Sequence, residues 1–246
     1  MLEMKNFRKI LNIIMVLVLL VPFSLILTAC GDKSYNVSTV AELTEVLKNV
    51  ESGAKIVLQS DLDVSSPIII DKKITLDLNG NIIRNTKDIW SDDNRDWSLI
   101  SVRASIDKNN NVISKGELTI EGNGSLLAKE NDCYAVDIRD GSSCIIKSGT
   151  FVGNVDVIYN FEGTLTVEGG KYSIQQLNNV AGKEYAFVLN CYDQNRKDGK
   201  ASIVVRGGEF DSFNPANCVA EGPNTNFVAE GYTVVQTGKI YKVVRA

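Results

Sequence analysis

Arg139 and Asp140 stand side by side, Glu162 follows one repeat later, and Asp193, Arg196, Lys197 and Asp198 crowd a single stretch. Two carboxylates such as Asp140 and Glu162, held at a defined separation, are what glycoside hydrolysis needs. Trp90 and Trp97 bracket the acidic run Asp92-Asp93-Asn94-Arg95-Asp96, and flat indole faces can stack on sugar rings. That run lacks the glycine and distal glutamate of an EF-hand calcium loop. There is no histidine anywhere in the chain. Its absence removes the commonest general base, Ser-His-Asp triads and most zinc enzymes. Solvated loop charge accounts for the same acidic and basic residues without any reaction.

Cys30 invites a different chemistry. Lys5, Arg8 and Lys9 precede an uncharged stretch from Ile10 to Ala29, which ends in Leu27-Thr28-Ala29-Cys30-Gly31. A basic flank, an apolar core and small residues before a boundary are the parts of an export signal. The last five residues resemble the bacterial lipobox. That resemblance implies diacylglycerol on the Cys30 sulfur, cleavage before Cys30 and acylation of the new N-terminus. Several acyl chains hold firmly, since each buried methylene contributes roughly 0.8 kcal/mol. The alternative is an uncleaved transmembrane anchor, because about 20 apolar residues can just span a bilayer. Both place the rest of the chain on the extracytoplasmic face of the cell membrane.

Removal of residues 1–29 takes away three positive charges and one negative, moving the net charge from −4 to −6. A mildly acidic chain lacks the basic footprint of nucleic-acid binding, so no nucleic-acid partner is expected. Cys133, Cys144, Cys191 and Cys218 show no CxxC spacing, which disfavours zinc. They permit three disulfide pairings, with buried free thiols in stacked strands as the simpler expectation.

The elements that would position these groups read as follows. Residues 1–29 form the signal, 30–38 a short tether, and 39–246 one domain. Val40, Leu43, Val46, Leu47 and Val50 share a helical face, Thr39 and Glu42 make a capping box, and Gly53 supplies a stop. The spacing predicts a helix over 39–52. Everything beyond reads as short strands separated by Gly, Asn, Asp and Ser. Five segments repeat: Ile74–Gly80, Leu118–Gly124, Cys144–Gly149, Leu165–Gly170 and Ile203–Gly208. The turn glycines Gly124, Gly149, Gly170 and Gly208 lie 25, 21 and 38 residues apart. A period in the low twenties, lengthened by insertions, marks a solenoid whose units stack about 4.8 Å apart. Two to three strands per unit predict an all-β, right-handed parallel β-helix with the helix as N-terminal cap. Strands near Tyr232–Val235 and Ile240–Val244 would close the other end.

Several motifs carry a further resemblance. They are Ile74-Thr75-Leu76-Asp77-Leu78-Asn79-Gly80, the paired Gly169-Gly170-Lys171-Tyr172 and Gly207-Gly208-Glu209-Phe210, and the terminal stretch from Phe213 to Tyr232. Residues 36–246 are similar to the pectate-lyase-like β-helix superfamily, particularly its glycine-rich surface and adhesin-like proteins. In each turn another strand comes first: Ser98–Val102, Tyr134–Ile138, Asp156–Phe161 and Tyr185–Asn190. The link from it is short at Arg139–Gly141 and at Glu162-Gly163, but long at 103–115 and 191–200. This register predicts a groove roughly 14 Å wide between the two long loops. Arg139, Asp140 and Glu162 would form its floor. Asp193, Arg196, Lys197, Asp198, Asp107 and Lys108 would form its walls. The resemblance implies the fold, and three roles stand as alternatives. The first is a non-catalytic surface lipoprotein binding carbohydrate or a partner protein, with Trp90 and Trp97 as contacts at a separate corner. The second is a small polysaccharide lyase or hydrolase, in which Arg139 or Arg196 removes a proton beside calcium held by Asp140, Asp193 and Asp198. The third is a purely structural surface module. No lyase motif matches residue by residue, so no cofactor is expected outside that second reading.

Overall fold

The repeated segments stack in register. In the computed structural model, which describes residues 33–246, Ile74, Leu118, Cys144, Leu165 and Ile203 form one buried row. Leu76, Ile120, Ile146, Val167 and Val205 form a second. The expected signal segment and the expected acylation of Cys30 lie outside the described residues. Alternation explains the rows: in Glu117–Glu121, Leu118 and Ile120 are buried while the flanking glutamates face outward.

The described chain is mostly β, in parallel sheets. A seven-stranded sheet runs Ser34–Val37, Ala54–Leu58, Lys73–Asp77, Glu117–Glu121, Ser142–Ile146, Gly163–Val167, Ala201–Val205, parallel throughout. An eight-stranded sheet contains Ser125–Leu127, Thr150–Gly153, Lys171–Ile174 and Glu209–Asp211, and ends in the antiparallel pair Ile240–Arg245 and Tyr232–Thr237. The third sheet has five parallel strands: Ile68–Ile70, Ser98–Val102, Tyr134–Ile138, Asp156–Asn160 and Phe187–Cys191. From Ser98 to Asp211 the chain visits the third, first and second sheets in that order four times. Two antiparallel hairpins interrupt the passage, Ser105–Ile106 with Val112–Ser114 and Asn178–Val180 with Lys183–Tyr185.

The Gly-Gly-x-aromatic motifs have a steric reason. A Cβ on Gly207 would stand 2.1 Å from the Glu168 carbonyl oxygen, and Gly208 has φ 104°, which an L side chain adopts only with strain. The aromatic two residues later turns inward. Phe151, Tyr172 and Phe210 stack at 5.2 and 4.9 Å with ring planes within 11° of parallel. They form an aromatic column through the core.

Two expectations about the N-terminal part need correction. Residues 34–37 do not belong to a tether: Ser34–Val37 pairs with 55–58 as the edge strand of the first sheet. Its alternating Tyr35 and Val37 turn toward the protein, and this pattern is too short to stand out in sequence. The helix is Val40–Asn49, shorter than 39–52, because Val50 is already extended. Thr39 Oγ1 accepts from the Glu42 N–H at 3.1 Å. The Glu42 carboxylate reaches back to the Ser38 N–H at 2.7 Å, one residue beyond the usual capping-box donor. Leu43 and Val46 bury its apolar face in the core.

All four described cysteines are free and buried. Burial pushes the Cys144 and Cys218 thiols up to about 12, far from a reactive thiolate.

Candidate functional site

The third sheet carries the unusual chemistry. Its core row is Ile68, Ile100, Val136, Ile158 and Leu189, and Ser101, Asp137, Tyr159 and Asn190 alternate onto the opposite face. Strict alternation would return Ser98, Tyr134 and Asp156 to the core side. Instead Leu99, Ala135, Val157 and Val188 enter the core beside that row. Ser98 and Tyr134 therefore share the outward face: Ser98 Oγ donates to Asp137 Oδ1 at 3.0 Å, and Tyr134 meets the Tyr159 ring at 5.7 Å.

On this face lies a continuous aromatic row. Trp90 sets its edge against Tyr134 at 5.2 Å. Trp97 lies 5.8 Å from Tyr159 and 6.1 Å from Phe161, and Tyr192 follows Phe161 at 4.9 Å. Trp90 is 38 % exposed and Tyr192 41 %, while the rings between them are half-buried. Segment 90–97 folds back over the sheet through the antiparallel bridge Ser91–Asp96. Trp97 Nε1–H donates to Asp92 Oδ1 at 3.2 Å.

Beneath this row is a charged bed. Arg139 is only 1 % exposed. Its Nε stands 3.2 Å from Asp137 Oδ2, its Nη2 donates to Ser101 Oγ at 2.9 Å and to the Arg95 carbonyl at 2.5 Å. The guanidinium lies 4.8 Å from the Trp97 ring centre, and the exposed Arg95 covers the same ring at 5.3 Å. Burial raises Asp137 to about 6, although Arg139 and the serine hydroxyls stabilise its charge. Burial lowers Arg139 from its ordinary value, with Asp137 opposing the shift.

Further buried acids support the same face. Asp132 accepts from the Trp90 N–H at 3.0 Å, the Ile89 N–H at 3.0 Å and Asn85 Nδ2 at 2.6 Å, which fixes the start of the tryptophan segment. Asp156, 2 % exposed, takes one bond from Asn190 Nδ2 at 2.8 Å, and its Oδ1 has no hydrogen-bond partner. Burial pushes its carboxyl up to about 8. Burial likewise raises Glu221 to about 7, against bonds from the Cys191 N–H and the charge of Arg196.

The structure rearranges the sequence-derived groove. Links 103–115, 139–141, 161–162 and 192–200 all join the third sheet to the first, so they do occupy one edge. Gly141 N–H donates to the Glu162 carbonyl, making the turns of Asp140 and Glu162 neighbours. Arg139, however, is no floor group open to a ligand, because its guanidinium is locked under Trp97. An arginine held in this way cannot present a free nitrogen to a substrate proton. The proposed calcium ligands do not converge either. Asp193 is 2.9 Å from Arg196 and 3.6 Å from Lys197 within the short helix Asp193–Lys197, and Asp198 accepts from Gln194. Arg196 is tied to the Glu221 carbonyl at 2.6 Å. Asp107 accepts from Asn109 and Asn111 in its own hairpin, while Lys108 is exposed. Among the described residues no group of three acidic, thiol or imidazole side chains is placed to hold a metal. The segment carrying Trp90 and Trp97 does leave at a different corner, between the second sheet and the third, but Trp97 packs on Arg139.

Asp137 and Arg139 had a sequence signature: two charges two residues apart inside an apolar strand, hence on one face. Asp132, Asp156 and Glu221 had none.

No protein-family model, curated protein or solved structure matches the chain.

Proposed function

We propose that the chain is an extracytoplasmic lipoprotein, anchored to the cell membrane through acylated Cys30, that binds carbohydrate on the aromatic face without catalysis. Its fold is read as a right-handed parallel β-helix of the pectate-lyase-like, adhesin-like kind, with the helix Val40–Asn49 as cap. The rotation of the chain through three parallel sheets supports that reading, and crossovers between parallel strands are right-handed in about 98 % of cases. One observation carries the function: the row Trp90, Tyr134, Tyr159, Trp97, Phe161 and Tyr192 on one sheet face, its rings 4.9 to 6.1 Å apart. The rings meet edge-on or tilted, and such an aromatic surface flanked by hydrogen-bonding groups suits the apolar faces and hydroxyl rims of sugars. The bed of Arg139, Asp137, Ser98 and Ser101 holds the rings in place before a ligand arrives, which limits the ordering cost of binding.

A glycan array tests the reading. The chain is expected to retain a defined set of oligosaccharides, and Trp97→Ala to cut retention about tenfold, equivalent to about 1.4 kcal/mol, with the circular dichroism unchanged. No retained glycan, or retention indifferent to both Trp90→Ala and Trp97→Ala, would overturn it. The anchor has its own test in a bacterial host. Labelled palmitate should enter the wild type, and Cys30→Ala should lose both label and signal cleavage. Label-free wild type that remains in the membrane fraction would favour an uncleaved transmembrane segment.

A further inference from the structure

At the Trp90 end of the aromatic face the surface opens into a cleft of about 470 Å3, lined by Asp88, Trp90, Asn131, Asp132, Tyr134 and Asn154. We propose that this cleft binds an organic ammonium group, quaternary or primary, held between the faces of Trp90 and Tyr134 and the carboxylate of Asp132.

Three observations point there. The Trp90 and Tyr134 rings meet at 80° with centroids 5.2 Å apart, so they form two walls of a corner. A cation seated in that corner lies within about 6 Å of both centroids, the range in which ring quadrupoles attract positive charge. Asp132 is the second. It is 7 % exposed, and its carboxylate is met only by neutral donors: the Ile89 and Trp90 N–H groups and the Asn85 amide. Among the described residues no lysine or arginine nitrogen lies within 4.0 Å of it; Lys129, bound to Asp88 at the rim at 2.8 Å, feels the Asp132 charge without forming an ion pair with it. A buried carboxylate without a cationic partner draws a cation more strongly than a solvated one, because little water screens it. The third is the lining itself, which holds two carboxylates, two amides, two aromatic rings and Val155; Lys129 offsets the charge of Asp88, so Asp132 supplies the net negative charge. A sugar hydroxyl needs none of this net negative charge; an ammonium does. The proposal stands on this cleft alone and survives a failure of the glycan reading.

The two tryptophans of the chain both lie on this face, so intrinsic fluorescence reports the cleft directly. The full chain in uncharged detergent is titrated with tetramethylammonium and choline chloride against sodium chloride at matched ionic strength. 3,3-Dimethylbutan-1-ol serves as the uncharged mimic of choline. The expected result is a saturable change with both cations and at least about tenfold weaker binding of the neutral mimic, since desolvated cation–π and charge attraction exceed about 1.4 kcal/mol. Trp97→Phe keeps the response. Trp90→Ala also removes the reporter at the cleft, so its expected loss of cation binding is read by isothermal titration calorimetry. Asp132→Asn retains an oxygen acceptor for the Trp90 N–H but not the charge, and is expected to weaken cation binding about tenfold while leaving the mimic unchanged. Sedimentation with phosphatidylcholine against phosphatidylglycerol vesicles distinguishes the source. Selective pelleting with the former assigns the ammonium to a lipid headgroup, and its absence alongside choline binding assigns it to a soluble or glycan-borne amine. No saturable response to either cation, equal binding of the neutral mimic, or an unaltered Asp132→Asn variant would each overturn the proposal.

Discussion

Replacing Arg139 with alanine is expected to destabilise the folded chain by about 3–5 kcal/mol, because it leaves Asp137 buried without its counter-charge. Asp137 is fully enclosed, and the hydroxyls of Ser98 and Ser101 do not neutralise it. The substitution also removes the anchor on the Arg95 carbonyl and the support beneath Trp97. Urea denaturation at pH 7.5 measures the loss. Acidification shrinks it, since a protonated Asp137 no longer carries a buried charge. The double replacement Asp137→Leu with Arg139→Met should recover most of the stability, as apolar isosteres of buried ion pairs commonly do. A loss below about 1 kcal/mol at pH 7.5 would mean that the pair is hydrated rather than part of the platform. Glycan binding by Asp137→Leu/Arg139→Met separates the two roles: a recovered fold with weakened binding identifies the pair as positioning the rings.

Stability should fall as pH rises from about 5 to about 8.5. Asp156, Glu221 and Asp137 are raised to about 8, 7 and 6. Between their ordinary values near 4 and these raised values, the folded chain holds protons that the unfolded chain has released. Folding is therefore favoured on the acid side of the window, and the advantage is lost progressively as pH climbs through each folded value. Asp107, Glu121 and Glu209 are lowered, chiefly by hydrogen bonds to Asn111, Lys55 and Lys242, and act oppositely by losing stability only below pH 4.5. A maximum near pH 5 results. Burying the Asp156 charge costs more than the roughly 1–3 kcal/mol of an unsatisfied neutral group, so the melting temperature should drop at least about 2–4 °C between pH 5 and 8.5. Asp156→Asn removes the upper part of this slope. A profile that is flat or rising from pH 5 to 8 would contradict the burial of these acids.

Much of the stacking was readable in sequence because it rests on short-range rules. The segments from Ile74 to Gly208 alternate apolar and polar residues and end at glycines, and the structure aligns all five in one sheet. Strands Ser98–Val102 and Tyr134–Ile138 begin and end where the pattern places them. The site was less legible, for a physical reason. Period-two alternation assumes an unbroken pleat, and the third sheet breaks it at Leu99, Ala135, Val157 and Val188. That break turns Tyr134 and Asp156 outward and gathers residues 90–97 over Arg139, which no spacing argument anticipates. Loop charges misled in the opposite direction. In sequence Asp193 and Asp198 look like calcium ligands and Arg196 like a base, but Asp193 and Arg196 pair with each other and Asp198 accepts from Gln194.

The central claim is that Trp90 and Trp97 form part of one ligand-binding face. Acrylamide quenching of tryptophan fluorescence, with and without the oligosaccharides retained on an array, tests it most directly, because the chain has no other tryptophan. Saturating glycan is predicted to shield the tryptophans and lower the quenching constant at least about twofold, with Trp97→Phe abolishing most of the protection. Quenching that is unchanged while glycan is demonstrably bound would put the ligand elsewhere and contradict the account.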